Sequence, residues 1–538
     1  MSKPKDIINE EAARIKILDG VRKLTTPVAA TMGAKGRNII IENEYGRPTV
    51  TKDGVTVARS IHLPDPFENM GAQLVKEAAI KTNDIAGDGT TTATVLARYM
   101  MEAGMDNLKS GKNPIVIKSG IHKAVNAVTE YLKTIKIDVT SKEQYAAIAS
   151  ISAQDDEIGA LIAEVIDHVG RDGVVTVEPG NTLAMEKEYV EGMQFDTGWI
   201  SPYFVTNPQK MEAMYENVAI LITDQKISSV QDIVPILELL AEQGKKEIVI
   251  VADNVELDAL SLLVQNRIRG TIMPIAIRAP SYGDRRKEIL KDIAAVTGAT
   301  VISKDMDLTV DKAKLEHLGA ARKVIAKKNE TVIVGGDGDK KDVQDRIGML
   351  KGQIEEAKSP DEKMKLQERL AKLTGGVAVV KVGAATPVEQ EEKQHRVEDA
   401  LSATRAAAEE GIVAGGGVAY IRAAQHVSET LKGESYDEQT GIDIVLAALH
   451  APTNTLLANA GVDGESIMEK IVDAKGNVGY NCLTDKLEDL MKSMVIDPKK
   501  VSRCALENAA SVASMFLTLE GAVCTIRTKE KSQDEDEE

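Results

Sequence analysis

A chain of 538 residues is longer than one hydrophobic core usually serves, so two or three domains are expected. Its formal net charge of −17 opposes binding to a phosphate backbone, and we therefore expect no nucleic-acid partner. The three cysteines lack C-x-x-C spacing, no apolar run is long enough for a membrane span and the amino terminus shows no targeting signal, so we expect a cytoplasmic protein without a membrane partner.

The first elements are predicted to be a helix and a hairpin. Apolar residues near the 3.6-residue period predict a helix from Ala12 to Met32. The segments Asn38–Glu42 and Thr49–Thr51 flank a turn at Tyr45-Gly46-Arg47-Pro48 and are interpreted as a β-hairpin. Asp53 follows this hairpin and is therefore expected in a loop.

A glycine-flanked aspartate comes next, at Gly87-Asp88-Gly89, and leads into Thr90-Thr91-Thr92. The first N–H groups of a helix that opens at Thr90 or Thr91 lack backbone partners and favour negative charge. The glycines allow phosphate oxygens to approach, and Asp88 is placed to hold Mg²⁺, which needs only one or two carboxylates besides phosphate and water. The motif predicts a nucleotide site, although by itself it also fits an ordinary capped turn.

The middle of the chain changes character. Two short helices and the strand-like Gly173–Glu178 indicate a connecting domain from about 136 to 190. Strands then alternate with helices to about Gly376, which is typical of an α/β domain, and a charged helical hairpin breaks at Ser359-Pro360. Helices resume around Gly415-Gly416-Gly417, so one domain is predicted to form from both chain ends. The predicted strands of the inserted domain are Ala219–Thr223, Glu247–Val251, Met273–Ile277 and Thr300–Ile302.

Six segments share their residues and their order with one protein family. They are Thr31-Met-Gly-Ala-Lys-Gly-Arg-Asn38, Thr51-Lys-Asp-Gly-Val-Thr-Val-Ala-Arg59, Phe67-Glu-Asn-Met-Gly-Ala-Gln73, Gly87 to Val95, Val397-Glu-Asp-Ala-Leu401 and Gly415 to Gly417. On these segments the chain resembles the group I chaperonins, the sixty-kilodalton chaperones of bacteria, mitochondria and chloroplasts, throughout its length.

The resemblance implies a multidomain protein that is mainly α with α/β. A helical equatorial domain that binds ATP would comprise 1–134 and 410–538, a small α+β intermediate hinge domain 135–190 and 377–409, and an inserted α/β apical domain 191–376. Such subunits form seven-membered rings, single or double, which bind unfolded or partly folded client proteins. ATP hydrolysis would drive folding in a chamber that a ten-kilodalton co-chaperonin closes.

The resemblance also implies the site residues. ATP would bind with Mg²⁺ held by Asp88, and K⁺ is a further candidate ion. Asp399 is similar to the family carboxylate that positions or activates the attacking water, with Asp53 assisting; its helical context alone would indicate an ordinary solvated acid. The implied nucleotide-binding residues are Thr31, Met32, Gly33, Lys52, Asp53, Asp88, Gly89, Thr90, Thr91, Thr92, Gly416, Asn481, Cys482, Leu483 and Asp497.

Two apolar helices are predicted in the α/β domain. One begins at Ser229 with a Ser-x-x-Asp capping box, and the other follows Leu257. Apolar stripes of this kind usually face a core, but the resemblance places them on the cavity rim, where they would bind clients and the co-chaperonin. The implied contact residues are Trp199, Tyr203, Phe204, Val234, Leu237, Leu260, Leu263 and Val264.

Three features depart from the family pattern. Ala34 replaces a usual proline, Gln265 replaces a usual aliphatic residue, and the carboxy terminus ends in the acidic Lys529–Glu538 without Gly-Gly-Met repeats. Gln265 and the missing repeats leave a second interpretation open, a ring that holds unfolded proteins without encapsulation. A third, a small-molecule enzyme, would need polar catalytic groups in an apical pocket, and no Walker-type, H-E-x-x-H or G-x-S-x-G motif occurs.

Overall fold

The computed structural model describes residues 4–42, 48–153, 155–170, 173–208, 210–357 and 359–525. The centre of the predicted hairpin turn, Tyr45 to Arg47, and the acidic tail from Lys529 lie outside the described residues. Helices dominate the described part, which confirms a mainly α chain with α/β portions.

The α-helices are, in chain order, α1 (Glu10–Ala30), α2 (Gly54–Ser60), α3 (Pro66–Ala86), α4 (Thr90–Lys109), α5 (Pro114–Ile135), α6 (Lys142–Ala153), α7 (Asp156–Val169), α8 (Val230–Glu242), α9 (Leu257–Arg269), α10 (Gly283–Thr297), α11 (Lys340–Glu356), α12 (Pro360–Thr374), α13 (Pro387–Glu410), α14 (Val418–Thr430), α15 (Tyr436–Ala448), α16 (Ala451–Ala460), α17 (Gly464–Asp473) and α18 (Lys499–Leu517).

The β-strands are β1 (Lys5–Asn9), β2 (Ile39–Ile41), β3 (Thr49–Thr51), β4 (Val174–Pro179), β5 (Glu186–Val190), β6 (Gly192–Phe195), β7 (Ala213–Thr223), β8 (Lys226–Ile227), β9 (Glu247–Ala252), β10 (Asn254–Val255), β11 (Met273–Arg278), β12 (Val301–Ile302), β13 (Gly319–Ala326), β14 (Thr331–Gly336), β15 (Val377–Val382), β16 (Ile412–Ala414), β17 (Val478–Asn481), β18 (Lys486–Asp489), β19 (Ile496–Pro498) and β20 (Gly521–Thr525).

The chain divides into two compact units. The first comprises Met1–Glu164 with Thr386–Glu538, and the second comprises Val165–Ala385. Both breaks fall inside the segments predicted for the hinge domain, 135–190 and 377–409. The residues of the predicted hinge are thus divided between the two units, and the three-domain boundaries stay a prediction.

Both chain ends build the first unit. Strand β1 pairs antiparallel with β20, with Lys5 opposite Thr525, as expected for a domain formed from the two termini. Helix α1 contributes Val21, Leu24 and Val28 to the core, and each of these side chains is fully buried. The helical period seen in the sequence therefore marks the core-facing side of α1.

One described segment, Tyr436–Ala460, is long and apolar enough by composition to cross a membrane. It consists of α15 and α16, and 56% of its most apolar window is buried inside the structure. Ile442 and Val445 belong to the core of the first unit. The apolar character of this segment is thus used in packing against neighbouring helices.

The second unit contains a mixed β-sheet. Its strand order is β11-β9-β7-β13-β14-β6, with β12 also paired to β7. Strands β7, β9 and β11 are parallel, whereas β13 and β14 run antiparallel to their neighbours. Ile220 and Ile222 of β7 face one apolar cluster and Leu221 faces another, so both sides of the sheet are covered. The predicted α/β domain and its four strands are confirmed.

An ion-pair cluster joins α13 to α18 in the first unit and predicts an acid-sensitive contribution to stability. Lys499 Nζ lies 2.8 Å and an Arg503 guanidinium nitrogen 2.6 Å from the carboxylate of Glu410. Burial alone would raise the pKa of Glu410, but hydrogen bonds and charge from Arg503 and Lys499 outweigh burial and lower the pKa to about 2. A lowered folded-state pKa stabilises the fold above the unfolded-state value and is lost as pH falls from about 4.5 to about 2.

We therefore expect Glu410→Gln to lower the free energy of unfolding at pH 7 by about 1–2 kcal/mol, after allowance for solvent screening of a partly exposed carboxylate. The difference between variant and wild type should shrink as pH falls toward 2, which urea midpoints at several pH values would measure. Glu409→Gln is the matched control, because Glu409 is 57% exposed and pairs with Lys500 at the surface. Equal effects of the two substitutions would contradict the assignment.

Candidate nucleotide site

The predicted phosphate site is a tight turn between two helices. Helix α3 ends at Gly87 with φ +70°, and α4 begins after Gly89 with φ +88°. These values are in the left-handed region, where glycine carries no steric cost. A Cβ atom on Gly89 would also lie 2.6 Å from Val501 Cγ1. The helix start predicted at Thr90 is confirmed, so the N–H groups at the beginning of α4 lie beside Asp88.

Asp88 has few hydrogen-bond donors and a carboxylate neighbour. The backbone N–H of Gly89 and the Ser152 hydroxyl donate to it, the latter at 3.5 Å. Burial raises the pKa of Asp88, and the charge of Asp53 raises it further. A cation next to Asp88 would reverse this shift, which is the behaviour expected of a metal ligand. Ser152 was missed by sequence reasoning, because it is a small residue of α6 without a motif around it.

Asp53 caps helix α2. Its carboxylate accepts hydrogen bonds from the backbone of Val55 at 2.9 Å and of Thr56 at 2.8 Å, and from the Thr56 hydroxyl at 2.6 Å. A Cβ on Gly54 would lie 2.4 Å from Thr91 Oγ1, so the starts of α2 and α4 touch. Three hydrogen bonds thus hold Asp53 in one orientation beside the turn, at a helix N-terminus that favours negative charge.

The loop after α1, Thr31–Arg37, is called the phosphate loop below. The Thr31 hydroxyl donates to the Val28 carbonyl at 2.8 Å, and Gly33 has φ +82°. Asn459 Nδ2 on α16 donates to the carbonyls of Ala29 and Met32, both at 2.9 Å. An amide from a distant helix therefore fixes the loop in which Ala34 replaces the usual proline.

The expected ribose and base residues lie on a second set of elements. Strand β19 pairs with β16 so that Asp497 is opposite Val413, and a Cβ on Gly415 would lie 3.2 Å from Asp497 Oδ1. Burial first, and the charge of Asp88 second, raise the pKa of Asp497 to about 7. The charges of these two half-buried acids therefore act on each other, and Asp497 and Asp88 belong to one electrostatic site. The neighbouring Gly416 has φ +63°.

The hairpin of β17 and β18, Val478–Asp489, is called the nucleoside hairpin below. Asn481 is buried, donates to Glu488 at 2.7 Å and accepts a hydrogen bond from the Leu483 N–H at 2.9 Å. Cys482 is half-buried, and burial raises the pKa of its thiol. Leu483 is 74% exposed. Asn481 thus orders the backbone of this turn. The side chains of the next two residues, Cys482 and Leu483, are exposed to different degrees.

Helix α13 brings Asp399 to the turn. A Cβ on Gly87 would lie 2.1 Å from the Cβ of Ser402, so α13 passes directly against Gly87. Asp399 precedes Ser402 by three residues, and residues three apart lie on the same helix face. Arg396 fixes α13 to the end of α6 through the Ala153 carbonyl at 3.0 Å and Asp155 at 3.1 Å. The packing of α13 places Asp399 one helical turn from the contact with Gly87.

Metal binding at Asp88 would need ligands from outside the protein. Among the described residues, no three or more His, Cys, Asp or Glu side chains are grouped so that they could hold a metal ion. Magnesium accepts this arrangement when phosphate oxygens and water complete its shell. The donor set thus fits a nucleotide-bound Mg²⁺ and does not form a metal cage of its own.

The predicted nucleotide residues all belong to the first unit. The structure brings Asp53, Asp88, Thr91 and Asp497 together through the contacts above. Lys52 is exposed, and Thr92 is half-buried in the first turn of α4. The individual roles of these residues stay predictions.

The predicted client-binding residues of the second unit separate into two groups. Tyr203 is 66% exposed, and Trp199, Val234, Leu260 and Val264 are half-buried. The expectation that Phe204, Leu237 and Leu263 lie on an exposed surface is wrong. Helical spacing does not distinguish the two sides of a helix that is apolar on both. The buried residues are Phe204, Leu237 and Leu263, which are at most 5% exposed and pack in the core beside α8 and α9.

Comparisons with known proteins identify the family and the fold. The sequence model of the TCP-1/cpn60 chaperonin family matches residues 24–527. The fold is similar to that of the chaperonin gp146 from bacteriophage EL 2 (Pseudomonas aeruginosa), solved in the presence of ATP-BeFx, with a TM-score of 0.71 and 21% sequence identity. The similarity covers 97% of this chain and 99% of that chain, so the two share their fold. The family match extends over nearly the whole length, and the chain belongs to the TCP-1/cpn60 chaperonin family.

Proposed function

We propose that this protein is an ATP-driven protein-folding chaperone. It binds non-native proteins on an apolar surface of the second unit and uses hydrolysis of ATP to ADP and phosphate to release and refold them. The observation that carries the proposal is the meeting of Asp88, at the start of α4, with α13 and its Asp399 in one unit. The family membership supports the same activity.

Different groups of the site would bind the phosphates, hold Mg²⁺ and activate the attacking water. The N–H groups that begin α4 and the hydroxyls of Thr90 and Thr91 would bind phosphate oxygens, and Mg²⁺ at Asp88 would neutralise part of their charge. Asp399 would orient the attacking water and accept its proton. No covalent nucleophile is needed, because this reaction depends chiefly on positioning and charge.

The client surface is proposed around the amino ends of α8 and α9. Tyr203 and Leu257 are 66% and 73% exposed, and Val264 is half-buried. Exposed apolar side chains such as these favour contact with the apolar residues that a non-native protein exposes. Because apolar burial is not directional, such a surface accepts many clients.

A seven-membered ring is proposed, and its contacts are expected at short apolar strands of the first unit. Ile40 is 71% exposed on β2, and Ile7 and Val523 are 58% and 53% exposed on the β1–β20 pair. Isolated two-stranded ribbons are marginally stable in water, so these edges favour pairing with a neighbouring copy.

We expect Ile40→Lys to shift the assembly to monomers, because a charge would replace an apolar contact between subunits. Size-exclusion chromatography with light scattering measures the mass directly. Ile115→Lys is the matched control, since Ile115 is also 71% exposed but lies in the first turn of helix α5. Unchanged mass for Ile40→Lys, or equal loss in both variants, would exclude the proposed contact.

An alternative is a ring that holds unfolded proteins without encapsulation. The exposed Gln265 on α9 favours it, because a polar residue there weakens an apolar contact with a lid protein. A ten-kilodalton co-chaperonin as lid therefore belongs to the leading proposal and separates it from this alternative.

Light scattering of an aggregating client, with and without ATP, tests the proposed function. We expect the protein to suppress aggregation and ATP to reverse the suppression by releasing the client. If ATP does not change the suppression, client binding is not coupled to ATP hydrolysis. If the protein neither suppresses aggregation nor hydrolyses ATP, the proposed function is overturned.

A further inference from the structure

A surface ion pair joins the two loops that are predicted to hold the nucleotide. Lys35 Nζ lies 2.7 Å from Asp485 Oδ1, and Tyr480 Oη donates to the same oxygen at 3.1 Å. Lys35 belongs to the phosphate loop, whereas Asp485 and Tyr480 belong to the nucleoside hairpin. Lys35 first and Tyr480 second lower the pKa of Asp485 through these hydrogen bonds, so the carboxylate is ionised at neutral pH.

Helix α16 connects the phosphate loop to the glycine turn at Gly416. Thr453 Oγ1 donates to the Gly416 carbonyl at 2.9 Å near the start of α16, and Asn459 holds the phosphate loop near its end. Six residues of helix span about 9 Å. Helix α16 therefore sets the spacing between the phosphate loop and the glycine turn. The ion pair of Lys35 with Asp485 joins the same loop to the nucleoside hairpin.

The position of Asp485 is determined by the hairpin. Asp485 has φ +54°, a left-handed conformation that aspartate and asparagine tolerate better than most residues. The strands pair with Asn481 opposite Lys486, so a tight turn holds Asp485 next to the expected base contacts. A change in the position of Asp485 would move the turn that carries Cys482 and Leu483.

We propose that Lys35 and Asp485 form a latch that closes the nucleotide site and sets the rate at which nucleotide leaves. The proposal rests on the proposed ATP site, because the two loops are the ones expected to bind phosphates and base. Release requires the loops to separate, and separation breaks the ion pair. Lys35 and Asp485 are positioning residues that do not touch the reacting atoms.

The expected effect is small and depends on salt. The side chains of Lys35 and Asp485 are 36% and 54% exposed, and such pairs are partly screened by water and ions. We expect Lys35→Met and Asp485→Asn each to speed the release of a ribose-labelled fluorescent ADP by about two- to fivefold, which is the range of exposed ion pairs. Both substitutions keep the backbone conformation, because methionine matches lysine in length and asparagine tolerates a positive φ.

Stopped-flow displacement of the labelled ADP gives the release rate, and a double-mutant cycle isolates the pair. The double variant should release ADP no faster than either single variant, and added salt should accelerate wild type more than the variants. Lys486→Met is the matched control, an exposed lysine next to Asp485, and should release ADP at the wild-type rate. Wild-type release rates in both single variants, or additive effects in the double variant, would overturn the latch.

Alkylation of Cys482 provides a second readout without nucleotide. Cys482 is half-buried on the turn beside the latch, whereas Cys504 and Cys524 are buried. Burial raises the pKa of the Cys482 thiol, the charge of Lys35 lowers it and that of Asp485 raises it, so the two substitutions shift this pKa in opposite directions. Opening of the latch should nevertheless raise the alkylation rate in both nucleotide-free variants, and a rise in only one of them, or in neither, would count against the latch. Failure of wild type to bind labelled ADP would instead overturn the proposed ATP site, and the latch with it.

Discussion

Replacing Asp399 with alanine should lower the rate of ATP hydrolysis by about 10²–10⁴-fold, the usual range for loss of a general base. Nucleotide affinity should change little, because Asp399 is expected to act on the attacking water and not on the bound phosphates. Steady-state release of phosphate and equilibrium binding of labelled ADP measure the two effects separately. The physical reason is that water activation requires a carboxylate at the position that α13 reaches beside Gly87.

Glu398→Ala is the matched control for this prediction. Glu398 is the acid that precedes Asp399 on α13, and it is half-buried like Asp399. Because adjacent residues of a helix do not lie on the same face, Glu398 is on a different side of α13. Its removal should leave hydrolysis within about threefold of wild type, as is usual for a surface carboxylate outside a site. Hydrolysis by Asp399→Ala at more than half the wild-type rate would exclude Asp399 as the base.

The second large effect is expected in the second unit. Asp292 on α10 is 1% exposed and binds two arginines, Arg346 of α11 at 2.6 Å and Arg369 of α12 at 2.8 Å. Both arginines are at most 9% exposed. Asp292→Ala would leave two buried positive charges with less compensation, and we expect a loss of about 3–5 kcal/mol in the stability of the second unit. Part of this cost is offset by Glu288, which also binds Arg346.

Hydrogen exchange of α11 and α12, together with urea unfolding, would measure the loss. Asp292→Asn keeps the shape and part of the hydrogen bonding, so it should be less damaging than alanine. Glu368→Ala is the control, because Glu368 is 49% exposed and pairs with Arg285 at the surface. If removing Asp292 and removing Glu368 cost the same, the buried network does not hold the helical hairpin.

Much of the local structure could be predicted from the sequence, because helix caps, hairpin turns and helix breaks depend on residues only a few positions apart. The capping box of α8 is present, with Ser229 accepting from Gln231 and Asp232 accepting from the Ser229 N–H. The two strands predicted for the first hairpin do pair, with Ile39 opposite Thr51. The helix break at Ser359-Pro360 separates α11 from α12, because proline at a first turn starts a helix and cannot continue one.

Long-range contacts were not predictable in the same way. Ser152 reaches Asp88 and Asn459 reaches the phosphate loop from helices whose sequences carry no sign of these partners. The pairing of Lys35 with Asp485 joins residues 450 positions apart. Such contacts depend on how helices and turns pack in three dimensions, which periodicity does not specify.

The predicted client-binding residues of α8 and α9 show that helical spacing also does not identify which apolar side chains are exposed. Leu237 and Leu263 have the helical spacing expected of a client-binding face, yet they are buried in the core. Val234 and Val264 on the same helices remain half-buried. A helix that covers a sheet and also borders the surface is apolar over a wide arc, and only packing decides which side chains are accessible.

The refolding yield of an aggregation-prone client with ATP, with and without a ten-kilodalton co-chaperonin, tests the proposed folding activity. We expect wild type to restore client activity only with ATP and the co-chaperonin, and Asp399→Ala not to restore it. Suppressed aggregation without recovery of activity under all of these conditions would contradict an encapsulating foldase and favour the holding ring.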